Sequence, residues 1–556
     1  MKGIVSKLTS CFAFSAASLF SGQALAEDIM FNVNGYTLNA NQQLLRFSAI
    51  AFDEGKITRL YTHGPDLSKR QNQKRYENII DGQGQTMLPG LIDAHGHVMN
   101  YGRAVSNVDL VGTTSLKQAK QRIRSQLSKS PSGWVLGRGW NQELWEVKQF
   151  PHASDIDEII ADRPVVLTRI DGHAVWVNKK ALALAGITAK TKDPKGGEII
   201  RDASGEPTGI LVDNAMSLVY DIMPQPSHEQ RKAFLLQGMK ALAATGLTSV
   251  HDAGIGPETI AAYHDLQANA QMPIRVYGML DVTADGYEAL LEKGPYQTDD
   301  AMFALRSVKI SADGALGSRG AALHDDYSDR AGQKGLLLHT IPNLNKHVEA
   351  SMEAGFQVNT HAIGDRANTL VLDAYAKGFE DKEKVALRHR VEHAQVIRPD
   401  ELQRFADLKM IASMQPTHAT SDKNMAEDRL GKARMQGAYA WASLQKLGVL
   451  LAGGSDFPIE PAEPFYGLHA AVTRQDRNNQ PLGGWYANEA VDRETALAMF
   501  TYNAAYAAHQ EALIGTLEID KQADFILIEE DYFKVKPEAI WKIKVNQTWV
   551  AGKRVH

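Results

Sequence analysis

Two histidines end the apolar stretch at residues 88–97, LPGLIDAHGH. Side chains two apart on an extended strand point the same way, so His95 and His97 present two imidazoles on one face, a chelating pair. Four further polar residues stand in comparable places: Lys309 in VKISAD, His361 in VNTHAIGD, His393 in RVEH and Asp456 at the close of VLLAGGSD. Val308, Ile310 and Ala312 share one strand face, which turns Lys309 to the other. A lysine buried without a partner is costly and has a lowered pKa; the ordinary alternative is an ion pair with Asp313. Taken singly, the His95 and His97 pair can be a solvated strand end, and His361 or His393 is more often a satisfied core histidine than a ligand. An isolated carboxylate at Asp456 needs a cation or hydrogen bonds. Together the set makes metal binding by nitrogen and oxygen donors the chemistry to expect.

An α/β repeat would bring these residues together. Short apolar segments at 91–97, 247–252, 274–280, 307–313, 357–361, 390–393, 410–415 and 449–456 alternate with helix-length amphipathic ones. Eight such units predict a (β/α)8 TIM-like barrel of the α/β class, whose active sites lie at the C-terminal strand ends. The six residues fall at those ends. The connection after the first strand is far longer than a βα loop and predicts an inserted lobe at about 98–245. The stretches 27–86 and 510–556 carry short β-rich segments, which predicts a small β-sandwich built from both termini around a barrel at 87–509. Within the lobe, Trp140 of GRGWNQELW either covers the barrel mouth or fills the lobe core. His173 and Arg319 are candidates to hold a substrate oxygen or carboxylate, with loop bracing as the alternative.

With 556 residues, 44% hydrophobic and 22% charged, the chain has the composition of a globular protein. A net charge of -5 argues against a nucleic-acid partner and for a small-molecule substrate. Lys2 and Lys7, an apolar stretch over 11–20 and Ala24-Leu25-Ala26 form a signal peptide at 1–26, with export to a bacterial periplasm expected. Its apolar run is too short for a stable membrane anchor. Cys11, the one cysteine, lies inside it, so the mature protein has neither disulfide nor thiolate.

In this order the site residues resemble the amidohydrolase superfamily. DGHAVWVN at 171–178, KISADGALGSR at 309–319, THAIGD at 360–365 and GGSDFP at 453–458 are similar to its family 3, YtcJ-like branch. The resemblance implies one or two divalent ions, zinc by preference: His95, His97 and Asp456 on the more buried ion, His361 and His393 on the second, and Lys309, carboxylated by CO2, bridging them. It also implies a metal-bound hydroxide that attacks a carbonyl, with Asp456 as the catalytic residue that takes its proton and passes it to the leaving amine. The expected reaction is hydrolysis of the C–N bond of a small amide, such as an N-acyl amino acid or N-substituted amide. An ester, lactone or carbamate hydrolase and a metal-containing binding protein without turnover are the alternatives, and a homo-oligomer is compatible with each.

Overall fold

Short strands that read as nearly continuous apolar runs are buried on both faces, and they pair in parallel where helical crossovers cover them. The middle of this chain is built in that way. The computed structural model describes residues 27–39, 41–127, 133–170, 172–379 and 382–556. In it the parallel strands are β1 (Leu91–Gly96), β2 (Leu247–Ile255), β3 (Arg275–Asp281), β4 (Phe303–Ser311), β5 (Gln357–Ala362), β6 (Arg390–His393), β7 (Ile411–Met414) and β8 (Leu450–Gly453), bonded in that order. They are the eight segments read from the sequence, forming a nearly closed barrel.

The seam between β8 and β1 is joined by the residues that follow β8. The Asp456 N–H donates to the His95 carbonyl at 2.7 Å, and the His97 N–H to the Phe457 carbonyl at 2.8 Å. Behind the seam, the Asp93 carboxylate accepts the Ser455 hydroxyl at 2.7 Å and the His95 N–H at 3.0 Å. Burial pushes the Asp93 carboxyl up to about 7 against these donors. Gly454 is required here, since a Cβ would stand 2.7 Å from the His95 nitrogen and 2.8 Å from Asp93 Oδ1.

Helix α1 (Val98–Ser106) follows β1 and packs on α2 (His228–Ala244), which leads into β2. Gly102 lies against the Phe234 carbonyl, where a Cβ would come within 1.9 Å. Val98, Leu235, Met239 and Leu242 belong to the core of the barrel. The lobe is therefore narrower than the expected 98–245: its six-stranded sheet spans Val108–Asp109 to Pro207–Asp213, and the flanking helices are barrel wall. The reason is apolar burial, since these helices cover that side of the barrel.

The two β-rich ends, read as a sandwich, are joined in one eight-stranded hydrogen-bonded sheet. Phe525–Ile528 lies antiparallel to Thr86–Pro89, the strand that leads through Gly90 into β1. At the start of β3, the buried Arg275 ties this sheet to the barrel. It donates to both carboxylate oxygens of buried Asp524, at 2.8 and 3.1 Å, and to the Asp300 and Ala301 carbonyls at 3.2 Å. The signal peptide expected at 1–26 lies outside the described residues, among which no helix is long and apolar enough to cross a membrane.

Two stability measurements follow. Arg275→Ala leaves the Asp524 carboxylate buried without its cation, and should lower stability in denaturant by about 3–5 kcal/mol. The apolar pair Arg275→Met with Asp524→Leu should be milder. The second concerns His389, buried between β5 and β6, whose Nδ1 accepts the Val358 N–H at 2.9 Å while Nε2 donates to the Lys384 carbonyl at 2.9 Å. Burial lowers its pKa from 6.5 to about 3. The folded value lies below the unfolded one, so protonation favours unfolding. The contribution is complete above about pH 6.5 and is lost toward pH 3, at up to ~1.4 kcal/mol per pH unit. His389→Gln, which keeps an acceptor and a donor without titrating, should flatten the acid limb of melting temperature against pH.

Candidate functional site

All six residues singled out from the sequence line one cavity of about 440 Å3 at the C-terminal ends of the strands. His95 ends β1 and His97 opens α1; Lys309 comes from β4, His361 from β5, His393 from β6, and Asp456 from the seam after β8. Strand alternation would send Glu392 and His393 to opposite faces. At His393 the backbone turns left-handed (φ 73°), as it does at Asp456 (φ 61°), and both side chains reach the cavity. Non-glycine residues held in this region store strain, and such strain gathers at functional sites.

Three of the imidazoles are held from behind through Nδ1. His95 Nδ1 bonds the Glu392 carboxylate, His97 Nδ1 the Ala253 carbonyl at 2.8 Å, and His393 Nδ1 the Gln415 side-chain oxygen at 2.8 Å. Each acceptor calls for a proton on Nδ1, so each Nε2 is left with a lone pair. That is how ligating histidines are oriented by the groups behind them. His97 Nε2 stands 3.1 Å from Asp456 Oδ1, and His95 Nε2 stands 3.7 Å from the same atom. His95, His393 and Asp456 each offer a ligand atom within 4.8 Å of the others.

Electrostatics favour the forms a cation needs. Burial and the nearby Lys309 lower the His95 pKa to about 4 and the His361 pKa to about 3, and burial drives His393 well below its ordinary value. Burial alone would raise Asp456, but His97, His95 and His418 around it hold its carboxyl at about 2. Lys309 Nζ lies 3.3 Å from His95 Nε2, and desolvation lowers its pKa, favouring the neutral amine. Its alternative partner, Asp313, is used elsewhere: it accepts backbone N–H groups of Ala322, Ile363 and Gly364 at 2.8 to 3.0 Å.

The donors fit a divalent cation. Asp456 Oδ1 is buried and takes part in no hydrogen bond, while His361 Nε2 faces Asp313 Oδ1 at 3.4 Å. Leaving the Asp456 oxygen unpaired costs about 1–3 kcal/mol, which coordination would remove. Neutral imidazoles, a carboxylate and no thiolate suit zinc and its neighbours in the first transition row.

The three substrate-contact candidates do not line this cavity. Trp140 is fully buried in the lobe core with Trp145 and Trp176, its Nε1–H donating to the Leu167 carbonyl at 2.7 Å. The apolar area of the indole is used inside the lobe. His173 is largely exposed and bonds Asp213 at 2.7 Å. Arg319 braces its loop through two bonds to Asp329, which Arg429 also engages.

Sequence reading missed the groups behind and beside the ligands. Glu392 is buried between His95 and Arg390, whose Nε donates to Glu392 Oε1 at 2.7 Å. Arg390 also donates to the Ala94 carbonyl at 2.6 Å and to His251 Nδ1 at 2.9 Å. Burial would raise the Glu392 carboxyl, but Arg390 and His95 hold it well below the usual carboxylate range. The available signal was the i, i+2 placement of Arg390 and Glu392 in a buried parallel strand, where charges need partners. His418 enters from α3 (Pro416–Asp422), just after β7, stacked on His393 with ring centroids 5.8 Å apart. Its Nε2 is buried without a hydrogen bond, 3.6 Å from Asp456 Oδ2.

Comparison with known proteins places these residues in context. A family model described as "Amidohydrolase family" matches residues 78–556. The chain is 34% identical over 488 residues to the Bacillus subtilis (strain 168) protein named "Putative amidohydrolase YtcJ", covering 86% of this chain and 90% of that one. It is 27% identical to the N-substituted formamide deformylase of Arthrobacter pascens, over 94% of this chain and 97% of that one. A solved metal-dependent hydrolase of Pyrococcus horikoshii OT3, itself uncharacterized, is 26% identical and superposes with a TM-score of 0.72, covering 92% and 99% of the two chains.

Glu392 acts through His95 and is a positioning residue. Glu392→Gln should keep the fold yet weaken zinc retention about 10–100-fold, read by competition with a chromogenic chelator. Unchanged affinity would remove its positioning role.

Proposed function

Because the chain belongs to the amidohydrolase family and so is a hydrolase of carbon–nitrogen bonds, we propose that it is an exported, metal-dependent enzyme hydrolysing the amide bond of a small molecule, an N-acyl amino acid or an N-substituted amide. The observation that carries this reading is the set of Nε2 atoms of His95, His97 and His393 lining one cavity with Asp456, each Nδ1 already committed. The deformylase of Arthrobacter pascens, an enzyme of N-substituted formamides by its name, supports an amide over an ester.

His95, His97, His361, His393 and Asp456 would hold the metal, zinc by preference, with Lys309 joining them after its neutral amine adds CO2. When bound there, a divalent cation polarises the substrate carbonyl and acidifies water. The chain's own residues do the rest. Asp456 takes a proton from the attacking water and delivers it to the leaving nitrogen. The Asp456 N–H bond to the His95 carbonyl fixes its backbone at the seam.

The test combines elemental analysis, intact mass and an amide panel. About two zinc ions per chain, a carboxyl group on Lys309, and hydrolysis that is abolished by chelation and restored by zinc with bicarbonate are expected. Asp456→Asn should lower kcat by about 10²–10⁴-fold. Metal-replete protein inactive on amides would sink the reading; faster cleavage of matched esters would shift it to an esterase.

A further inference from the structure

The cavity has one carboxylate that the hydrolytic reading does not use. Asp422 is the last residue of α3, one helical turn beyond His418 and on the same face, and both residues line the cavity. Its Oδ2 accepts the Tyr439 hydroxyl at 2.7 Å and the Gln395 amide at 3.1 Å, and the same Gln395 amide reaches the Tyr439 oxygen at 2.9 Å. Tyr439 is fully buried and Gln395 nearly so, so Asp422 is clamped from behind. Its Oδ1 accepts no hydrogen bond from any described residue, and the residue is half-buried at the cavity wall.

The surroundings define what that oxygen can take. Leu316, Ile363, Met425 and Ile459 supply apolar wall, and the other outer carboxylate is Glu460. Among the described lining residues, Lys309 is the sole lysine or arginine, and it stands at His95. The nearby guanidinium groups of Arg319 and Arg429 are committed to Asp329, and the Lys423 ammonium to Asp476. A substrate carboxylate on this wall would therefore meet like charge, whereas an N–H group would meet a fixed acceptor. Selectivity of this kind combines a matched hydrogen bond with repulsion of the wrong partner.

We infer that Asp422 is a specificity-determining residue whose Oδ1 accepts an N–H of the substrate, so that the enzyme takes amides with an apolar N-substituent and no carboxylate beside the scissile bond. This rests on the hydrolase reading and narrows it, placing N-acyl amino acids with a free carboxylate outside the preferred class.

The experiment compares three formamides, N-formyl-phenethylamine, N-formyl-phenylalanine methyl ester and N-formyl-phenylalanine, on the zinc-loaded full-length enzyme, by kinetics and by titration calorimetry. Wild type should favour the two neutral compounds over the carboxylate at least tenfold in kcat/KM. Asp422→Asn should shrink that preference about tenfold, with KM for the neutral compounds raised and metal content unchanged. Asp422→Glu, which keeps the charge, should preserve the preference and guard against a merely structural loss. A wild-type preference for the carboxylate, or a preference unchanged in Asp422→Asn, overturns the inference. If no compound is cleaved, the hydrolase reading fails separately, and calorimetry decides on Asp422: selective binding of neutral compounds that Asp422→Asn abolishes supports it, and equal or absent binding overturns it.

Discussion

A buried carboxylate between an arginine and a histidine is the constraint on which the rest of this site depends. Glu392 bonds the His95 imidazole with one oxygen and the Arg390 guanidinium with the other, with no exposed surface on either acid or arginine. Removing such charges from water costs several kcal/mol per ion unless hydrogen bonds use all of their capacity. Here the hydrogen bonds reach across the barrel, from β6 to the Ala94 carbonyl of β1 and to His251 of β2. The ion pair thus fixes an imidazole and spans the barrel interior at once.

His95 is where fold and site coincide. Its carbonyl takes the Asp456 N–H at the seam, its N–H bonds Asp93, and its ring offers Nε2 to the cavity. Asp456 comes from the same seam, with a left-handed backbone following the close approach at Gly454. Completing the barrel and setting these two ligand atoms are therefore one event. Strain at Asp456 persists because the seam hydrogen bonds on both sides over-determine it.

Around this fixed base the loops divide the labour. Asp313 gathers backbone N–H groups from the loops after β4 and β5, and Asp329 gathers Arg319 and Arg429. These contacts brace the walls, while α3 brings His418 and Asp422 to the cavity. A rigid base with a wall assembled from separate loops is how one barrel supports different substrates.

The eight barrel strands and six site residues were legible in the sequence, because buried parallel strands leave apolar runs and polar residues at their ends stand out against them. The CO2 and metal chemistry assigned to Lys309 came from resemblance and stays with the proposal. For Trp140, His173 and Arg319 the sequence left two readings open, because an aromatic, a histidine or an arginine in a loop has the same appearance whether it meets a ligand or a neighbour, and the fold shows their protein neighbours. Gln395, Gln415, His418 and Asp422 became visible only in the fold, since their roles are set by partners contributed by other segments, as Asp422 is by Tyr439. Local pattern determined which residues face inward by a period of two or of 3.6; which inward groups meet was decided by barrel closure, where strand register and left-handed turns at His393 and Asp456 override that period.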